Sequence, residues 1–236
     1  MCKKTLLTLT VLALASLTAF AASKKGIEMS QDGRIVTFTK STKSATQTTL
    51  SDEGLVKIYG SLATAYPKAL YWCCEAYSIS GPNFGPYTPE YWEAAAFTPS
   101  ADHTVTKVEV AVNYGEGYNG VVVGLYADAS GVPGKAIKTW FVTGLPTGGT
   151  CCTVMEAKDS AGIPVTAGTQ YWIVLKTNKK SSNTFAAWNV DDTDELDAVP
   201  TAFWCSADKG GSCGNNDAWT ASSYVPGPAF AVLGSN

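Results

Sequence analysis

The chain has one arginine, Arg34, and one histidine, His103, among 236 residues, and charged side chains make up only 16% of it. Guanidinium groups supply the bidentate fork that phosphates and guanine edges reward. One such group, a formal net charge of −3 and no basic tract leave nothing to grip nucleic acid, which is excluded as a partner. A lone imidazole has no second histidine with which to build a zinc site, and no cofactor fingerprint occurs, so no cofactor is expected. Long apolar runs are also missing beyond the first residues, and no later segment reaches the ~20 residues a membrane helix needs.

The one apolar run, Leu6 to Phe20, follows Lys3 and Lys4 and ends in Ala19-Phe20-Ala21-Ala22-Ser23. A short positive segment, a core too short to span a bilayer and small residues before a cut read as a secretory signal peptide over residues 1–22. Cleavage leaves a mature N-terminus at Ala22 or Ser23, with 15 basic against 20 acidic residues, a net charge of −5. Cys2 departs with the signal. The expected product is secreted, periplasmic or extracellular, with no membrane span left after cleavage.

Six cysteines remain: Cys73, Cys74, Cys151, Cys152, Cys205 and Cys213. An even set in an exported chain reads as disulfides. The adjacent pairs lack the two-residue gap of a zinc knuckle. Neighbouring cysteines bond to each other only with distortion, so the 73/74 pair is expected to join the 151/152 pair. Cys205 and Cys213 close a short glycine-flanked loop and are expected to pair.

Residues 23–54 are rich in Ser, Thr and Lys and read as an arm with one strand, Arg34 to Thr39. Residues 55–236 read as one β domain. Val108 to Tyr114 alternates as a half-buried strand, and Val121 to Tyr126 is apolar on both faces and so central. Ile137 to Val142, Cys152 to Ala157, Gln170 to Leu175, Phe185 to Val190, Ala202 to Cys205 and Ala229 to Leu233 complete the set. Short strands separated by Gly, Pro and Asp turns, with no helical period, predict an all-β antiparallel sandwich of jelly-roll type, with a barrel as the other closed solution.

Val105-Thr106-Lys107-Val108-Glu109-Val110, Gly124-Leu125-Tyr126-Ala127-Asp128 with Gly131-Val132-Pro133-Gly134, and Ala167-Gly168-Thr169-Gln170-Tyr171-Trp172 resemble exported bacterial β-sandwich domains of the choice-of-anchor type. The resemblance covers roughly residues 90–236. It implies a surface or extracellular sandwich, mostly of unassigned activity, and carries over no catalytic residue. Such proteins commonly end in a sorting segment, which Phe230 to Asn236 does not resemble.

Four clusters invite a chemical reading. Gly210-Gly211-Ser212-Cys213-Gly214 matches a nucleophile elbow, but no histidine follows it and its setting is a polar loop, so it reads as coincidence. His103 reads as an exposed loop histidine. The acidic run Asp191-Asp192-Thr193-Asp194 reads as a solvated loop, with Ca²⁺ as the ion that Asp191, Asp192 and Asp194 would take; the EF-hand spacing fails. Tyr71, Trp72, Tyr87, Tyr91 and Trp92 gather near Pro82, Pro86 and Pro89, a loop-rich platform on which sugars would stack.

The expectation is a non-enzymatic binding or structural module, its partner a glycan or a cell-surface protein. The alternative is a secreted polysaccharide hydrolase using carboxylates such as Glu75, Glu90 and Glu93.

Overall fold

The computed structural model describes residues 27–30, 33–39, 42–43, 54–62, 71–85, 89–151, 153–191, 199–206, 217–222 and 227–236. In chain order the strands are β1 (Ile27–Met29), β2 (Ile35–Phe38), β3 (Thr42–Lys43), β4 (Val56–Gly60), β5 (Trp72–Ser80), β6 (Tyr91–Phe97), β7 (His103–Val110), β8 (Val112–Glu116) and β9 (Gly120–Asp128). They continue as β10 (Pro133–Thr143), β11 (Thr150–Cys151), β12 (Met155–Val165), β13 (Tyr171–Lys176), β14 (Phe185–Val190), β15 (Thr201–Cys205), β16 (Trp219–Ser222) and β17 (Phe230–Ser235). A single 3-10 turn, Lys179–Ser181, is the only helical element among the described residues.

The molecule is an antiparallel β-sandwich. The principal sheet runs β1-β2-β5-β6-β13-β9-β10, with β14 joining β5 to β8 and β15 joining β6 to β16. The second sheet runs β12-β7-β17-β4. Neither sheet closes on itself, so the barrel alternative is not adopted. Strands β5 and β6 meet at one rung, Ser80 opposite Tyr91, where the Ser80 hydroxyl donates to the Pro89 carbonyl (2.7 Å) and accepts from the Tyr91 amide (3.1 Å).

Between the sheets, Val105, Val108, Val110, Phe230 and Val232 of the second sheet meet Ala95, Phe97, Val123, Leu125, Ile173 and Leu175 of the principal one. Removing these apolar faces from water is the main stabilising term. Trp188 is fully buried there, its indole N–H donating to the Ala229 carbonyl at 2.9 Å.

The expected strand over 108–114 is two strands in two sheets. At Ala111 the chain leaves β7 and enters β8; the Ala111 amide donates to Ala229 and its carbonyl accepts from Asn189 (3.1 and 2.8 Å). A strand that changes sheets makes the corner of a sandwich, and alternation alone does not reveal it, because both halves keep the same period. Its polar face is not solvated either. Glu109 and Lys107 are buried and paired at 2.7 Å, with Glu156 3.6 Å from Lys107, under a small core of Leu62, Tyr71, Cys73, Cys151, Val154 and Leu233.

Two further expectations are corrected. Within the expected arm 23–54, the described strands β1 and β2 extend the principal sheet, and Val36 and Phe38 turn into a cluster with Ala76, Phe185 and Ala187. Within 71–92 the aromatic residues Trp72, Tyr77, Tyr91 and Trp92 lie on strands β5 and β6, and the loop is confined to the connection that carries Pro82 and Pro89. β5 and β6 are inner strands of the principal sheet, disguised in the sequence by a Cys-Cys pair and by Ala94-Ala95-Ala96, which have little β preference of their own. The weak strand expected over 152–157 is β12, extended to Val165 across an irregular register between Lys158 and Ile163 that Gly162, at φ +73°, accommodates.

Cys73 on β5 and Cys151 on β11 form a disulfide, with Cα atoms 5.6 Å apart, linking the 73/74 and 151/152 pairs as expected. Cys74 and Cys205 each take part in a disulfide of their own. Cys152 and Cys213 lie outside the described residues, and with Cys213 the expected pairing of Cys205.

Candidate functional site

The outer face of the principal sheet carries a row of large side chains set by strand register. Trp204 of β15 stands directly opposite Trp219 of β16 on one side and Trp92 of β6 on the other. Trp92 and Trp204 stack with ring centroids 4.1 Å apart, and Trp219 tilts against Trp92 at 6.3 Å. Beyond β6 the row continues through Lys176 of β13, whose ammonium lies 4.8 Å over the Trp92 ring and 5.7 Å from the Tyr126 ring. Lys176 is opposite Val122 of β9, and Val122 is opposite Phe141 of β10. Six adjacent strands thus contribute one member each, a span of about 24 Å at ~4.8 Å per strand.

This geometry follows from the two-residue period of a strand. Glu93 and Phe203, one position along from Trp92 and Trp204, turn to the other face, while Ala94, Ala96, Ala202 and Val174 share the outer face with the row. Small neighbours let the indoles lie close to the sheet. All three tryptophans are half-buried, so each keeps an accessible edge or face. At the far end Tyr118 packs 5.9 Å from Phe141, and Lys180 lies 5.0 Å over Phe141.

A cleft of about 560 Å³ runs beside the row, lined by Pro82, Asn83, Glu90, Trp92, Lys176, Thr177, Asn178, Lys179 and Ser182. The Glu90 carboxylate fixes one wall: it accepts from the Trp92 indole N–H at 2.9 Å and from the Thr177 hydroxyl at 3.1 Å. Asn178 fixes the other by capping the Lys179–Ser181 turn, accepting from the amides of Lys180 (2.9 Å) and Ser181 (3.1 Å). Asn83 donates to the Ser182 hydroxyl at 3.2 Å across the cleft mouth. The walls therefore combine an aromatic ring, hydroxyls, amides and ammonium groups, with Glu90, Trp92, Thr177 and Asn178 held by their own hydrogen bonds.

Of the aromatic residues singled out in the sequence, Trp92 alone lines this cleft. Tyr71 is buried against the disulfide, donating to the Thr153 carbonyl at 3.1 Å, and burial pushes its phenol up to about 12. Tyr91 is buried under the β1–β2 turn, 3.4 Å from where a side chain on Gly33 would begin. Burial removes both from any contact surface. Trp72 is half-buried on β5, and Tyr87 lies outside the described residues. The sequence alone does not single out Trp204 and Trp219.

The carboxylates do not converge. Glu90 belongs to the outer face, whereas Glu93 turns inward, fully buried beside Arg34. Arg34 reaches over the Phe203 ring (3.7 Å to its centroid) and lies 3.7 Å from the Glu93 carboxyl. Burial raises Glu93 to about 8, an effect that the Arg34 charge offsets only in part. Glu75 sits opposite Thr37 on β5.

His103 opens β7 opposite Val165, so it is a strand residue and not the loop residue expected. Asp191 is half-buried and its amide donates to the Gly227 carbonyl at 2.9 Å; Asp192 and Asp194 lie outside the described residues. Among the described residues no three His, Cys, Asp or Glu side chains gather where one metal ion could be held. The Gly210–Gly214 motif also lies outside them.

No helix among the described residues is long and apolar enough to cross a membrane. No family model, curated protein or solved structure matches the chain.

Proposed function

We propose that this is an exported, non-catalytic β-sandwich module that binds a glycan chain along the outer face of its principal sheet. The observation that carries this reading is the in-register row Trp219-Trp204-Trp92, continued through Lys176 to Phe141. Sugar rings present apolar C–H faces and equatorial hydroxyls together. Indoles supply contact area at low conformational cost, and those already stacked on one another lose little further freedom on binding. The amide, hydroxyl and ammonium groups of the adjoining cleft supply partners for the hydroxyls. Three half-exposed tryptophans side by side on a sheet face mark a contact surface.

Export rests on the signal-like N-terminus and on the Cys73–Cys151 disulfide, which persists in an oxidising compartment. Hydrolysis by a carboxylate pair has less support, because Glu90 and Glu93 face opposite ways.

A polysaccharide array probed with the disulfide-intact protein tests the reading. Trp204→Ala and Trp219→Ala should each weaken retention about tenfold or more, the scale of a buried aromatic anchor. Far-UV dichroism and melting should stay close to the parent. Retention unchanged in both variants, with a melting loss of several degrees, would make the row a device that pins β15 and β16 to the sheet and nothing more.

A further inference from the structure

Three lysines crowd one flank of the tryptophan row, and they come from a single stretch of chain. Lys176 ends β13, and Lys179 and Lys180 occupy the turn that follows, capped by Asn178. Among the described residues no carboxylate forms an ion pair with any of the three; the ion pairs fall on Arg34, Lys107, Lys138 and Lys158. Lys176 and Lys180 rest instead on aromatic faces, Trp92 and Tyr126 for the first, Tyr118 and Phe141 for the second. Lys179 lines the cleft itself. One carboxylate, Glu90, faces them, and two of its neighbours already donate to it.

This charge arrangement runs against that of the whole chain, whose formal net charge is −3. A protein that repels polyanions overall holds three cations along one turn beside a row of half-exposed aromatic rings. Ammonium groups parked over rings keep their remaining N–H donors turned outward, and a ring holds a cation by only ~0.5–1 kcal/mol at exposed sites. An arriving carboxylate competes well for such a group, since charge-assisted hydrogen bonds are shorter and stronger than neutral ones. Lys176 covers one face of Trp92, and moving its ammonium to a ligand carboxylate would uncover that face for a sugar ring.

Resting on the glycan-binding reading above, we infer that the ligand is an acidic polysaccharide, one whose sugars carry carboxylates. Its carboxylates meet Lys176, Lys179 and Lys180 while its sugar rings lie along Trp92, Trp204 and Trp219. Trp92, Lys176 and Lys179 line the same cleft, and Trp204 stacks on Trp92, so one extended chain reaches both lysines and tryptophans.

The test compares polygalacturonate with the same polymer after its carboxyl groups have been reduced to alcohols, a change that removes charge and keeps the backbone. Affinity for the disulfide-intact protein is measured at about 20 mM and about 300 mM salt, where screening of exposed charges differs strongly. The acid polymer should bind at least tenfold more tightly at low salt and lose most of that advantage at high salt. Lys179→Gln/Lys180→Gln should bind the acid polymer about tenfold more weakly and lose much less affinity for the reduced polymer, since glutamine still offers N–H groups to sugar hydroxyls. Equal binding of both polymers, or a preference that survives in the double variant, would overturn the acidic assignment and leave glycan binding standing. Failure to bind these polymers or any glycan of the array, by the parent protein, would overturn the glycan-binding reading itself.

Discussion

Replacing Cys73 and Cys151 together by alanine should lower the melting temperature by roughly 10 °C, the largest stability loss expected from any double substitution outside the sandwich core. The bond spans 78 residues of sequence and joins β5, an inner strand, to the two-residue β11. In the chain-entropy account a closed loop of that size restricts the unfolded chain by about 4 kcal/mol. Both sulfurs are buried beside Tyr71, Val154 and Leu233, so the substitution also thins a small core. That core covers the buried Lys107–Glu109 pair, whose charges depend on being shielded and matched. Calorimetry of the double variant decides the matter. A melting temperature within about 2 °C of the parent would mean that β11 is held by its packing and not by the bond.

The alternating and the turn-bounded segments were legible in the sequence because each reports a local property. Tyr171–Lys176, Phe185–Val190 and Gly120–Asp128 each match a run rich in β-branched and aromatic residues, ended by residues with turn chemistry. The Asp128 carboxylate accepting from the Gly131 amide at 3.2 Å, with Gly131 at φ +86°, is such a turn. Strands β5 and β6 were not legible, since Trp72-Cys73-Cys74 and Ala94-Ala95-Ala96 acquire strand character from their neighbours and not from their own preference.

The tryptophan row shows the same limit more sharply. Trp92 stands out for its aromatic company in sequence, yet Tyr71 and Tyr91 of that company are buried. Its true companions, Trp204 and Trp219, lie more than a hundred residues away and reach it only through the pairing of β6 with β15 and β15 with β16. Of the three only Trp204 lies in a segment that the sequence marks as a strand, Ala202 to Cys205, and that segment does not name its partners. Register between strands distant in sequence is a tertiary property, and one residue of slip would turn every indole to the other face.

Raising the pH from about 5 to about 9 should cost the protein stability, and Glu93→Gln should abolish most of that loss. Glu93 is buried opposite Leu175 of β13 and Phe203 of β15, with Arg34 of the β1–β2 turn as the charged group facing it. Burial raises its carboxyl to about 8, whereas in the unfolded chain it titrates near 4.3. Between those two values the folded protein holds a proton that the unfolded chain has released. Stability from this group is therefore complete below about pH 4 and falls as pH rises, reaching its floor once pH passes the folded value of about 8. The total change is on the order of a few kcal/mol, since a tenfold difference in proton affinity between the folded and unfolded chain is worth about 1.36 kcal/mol. Glutamine keeps the shape of the neutral acid and has no proton to lose. The difference in stability between parent and variant, measured by chemical denaturation at several pH values, cancels the contributions of the other titrating groups. It should be small at pH 5 and grow in favour of the variant up to about pH 9. Parallel curves across that range would show that Glu93 stays ionised throughout, matched by Arg34. Arg34→Met separates the two cases: without the guanidinium the carboxyl should titrate still higher, and the loss of stability should extend to higher pH.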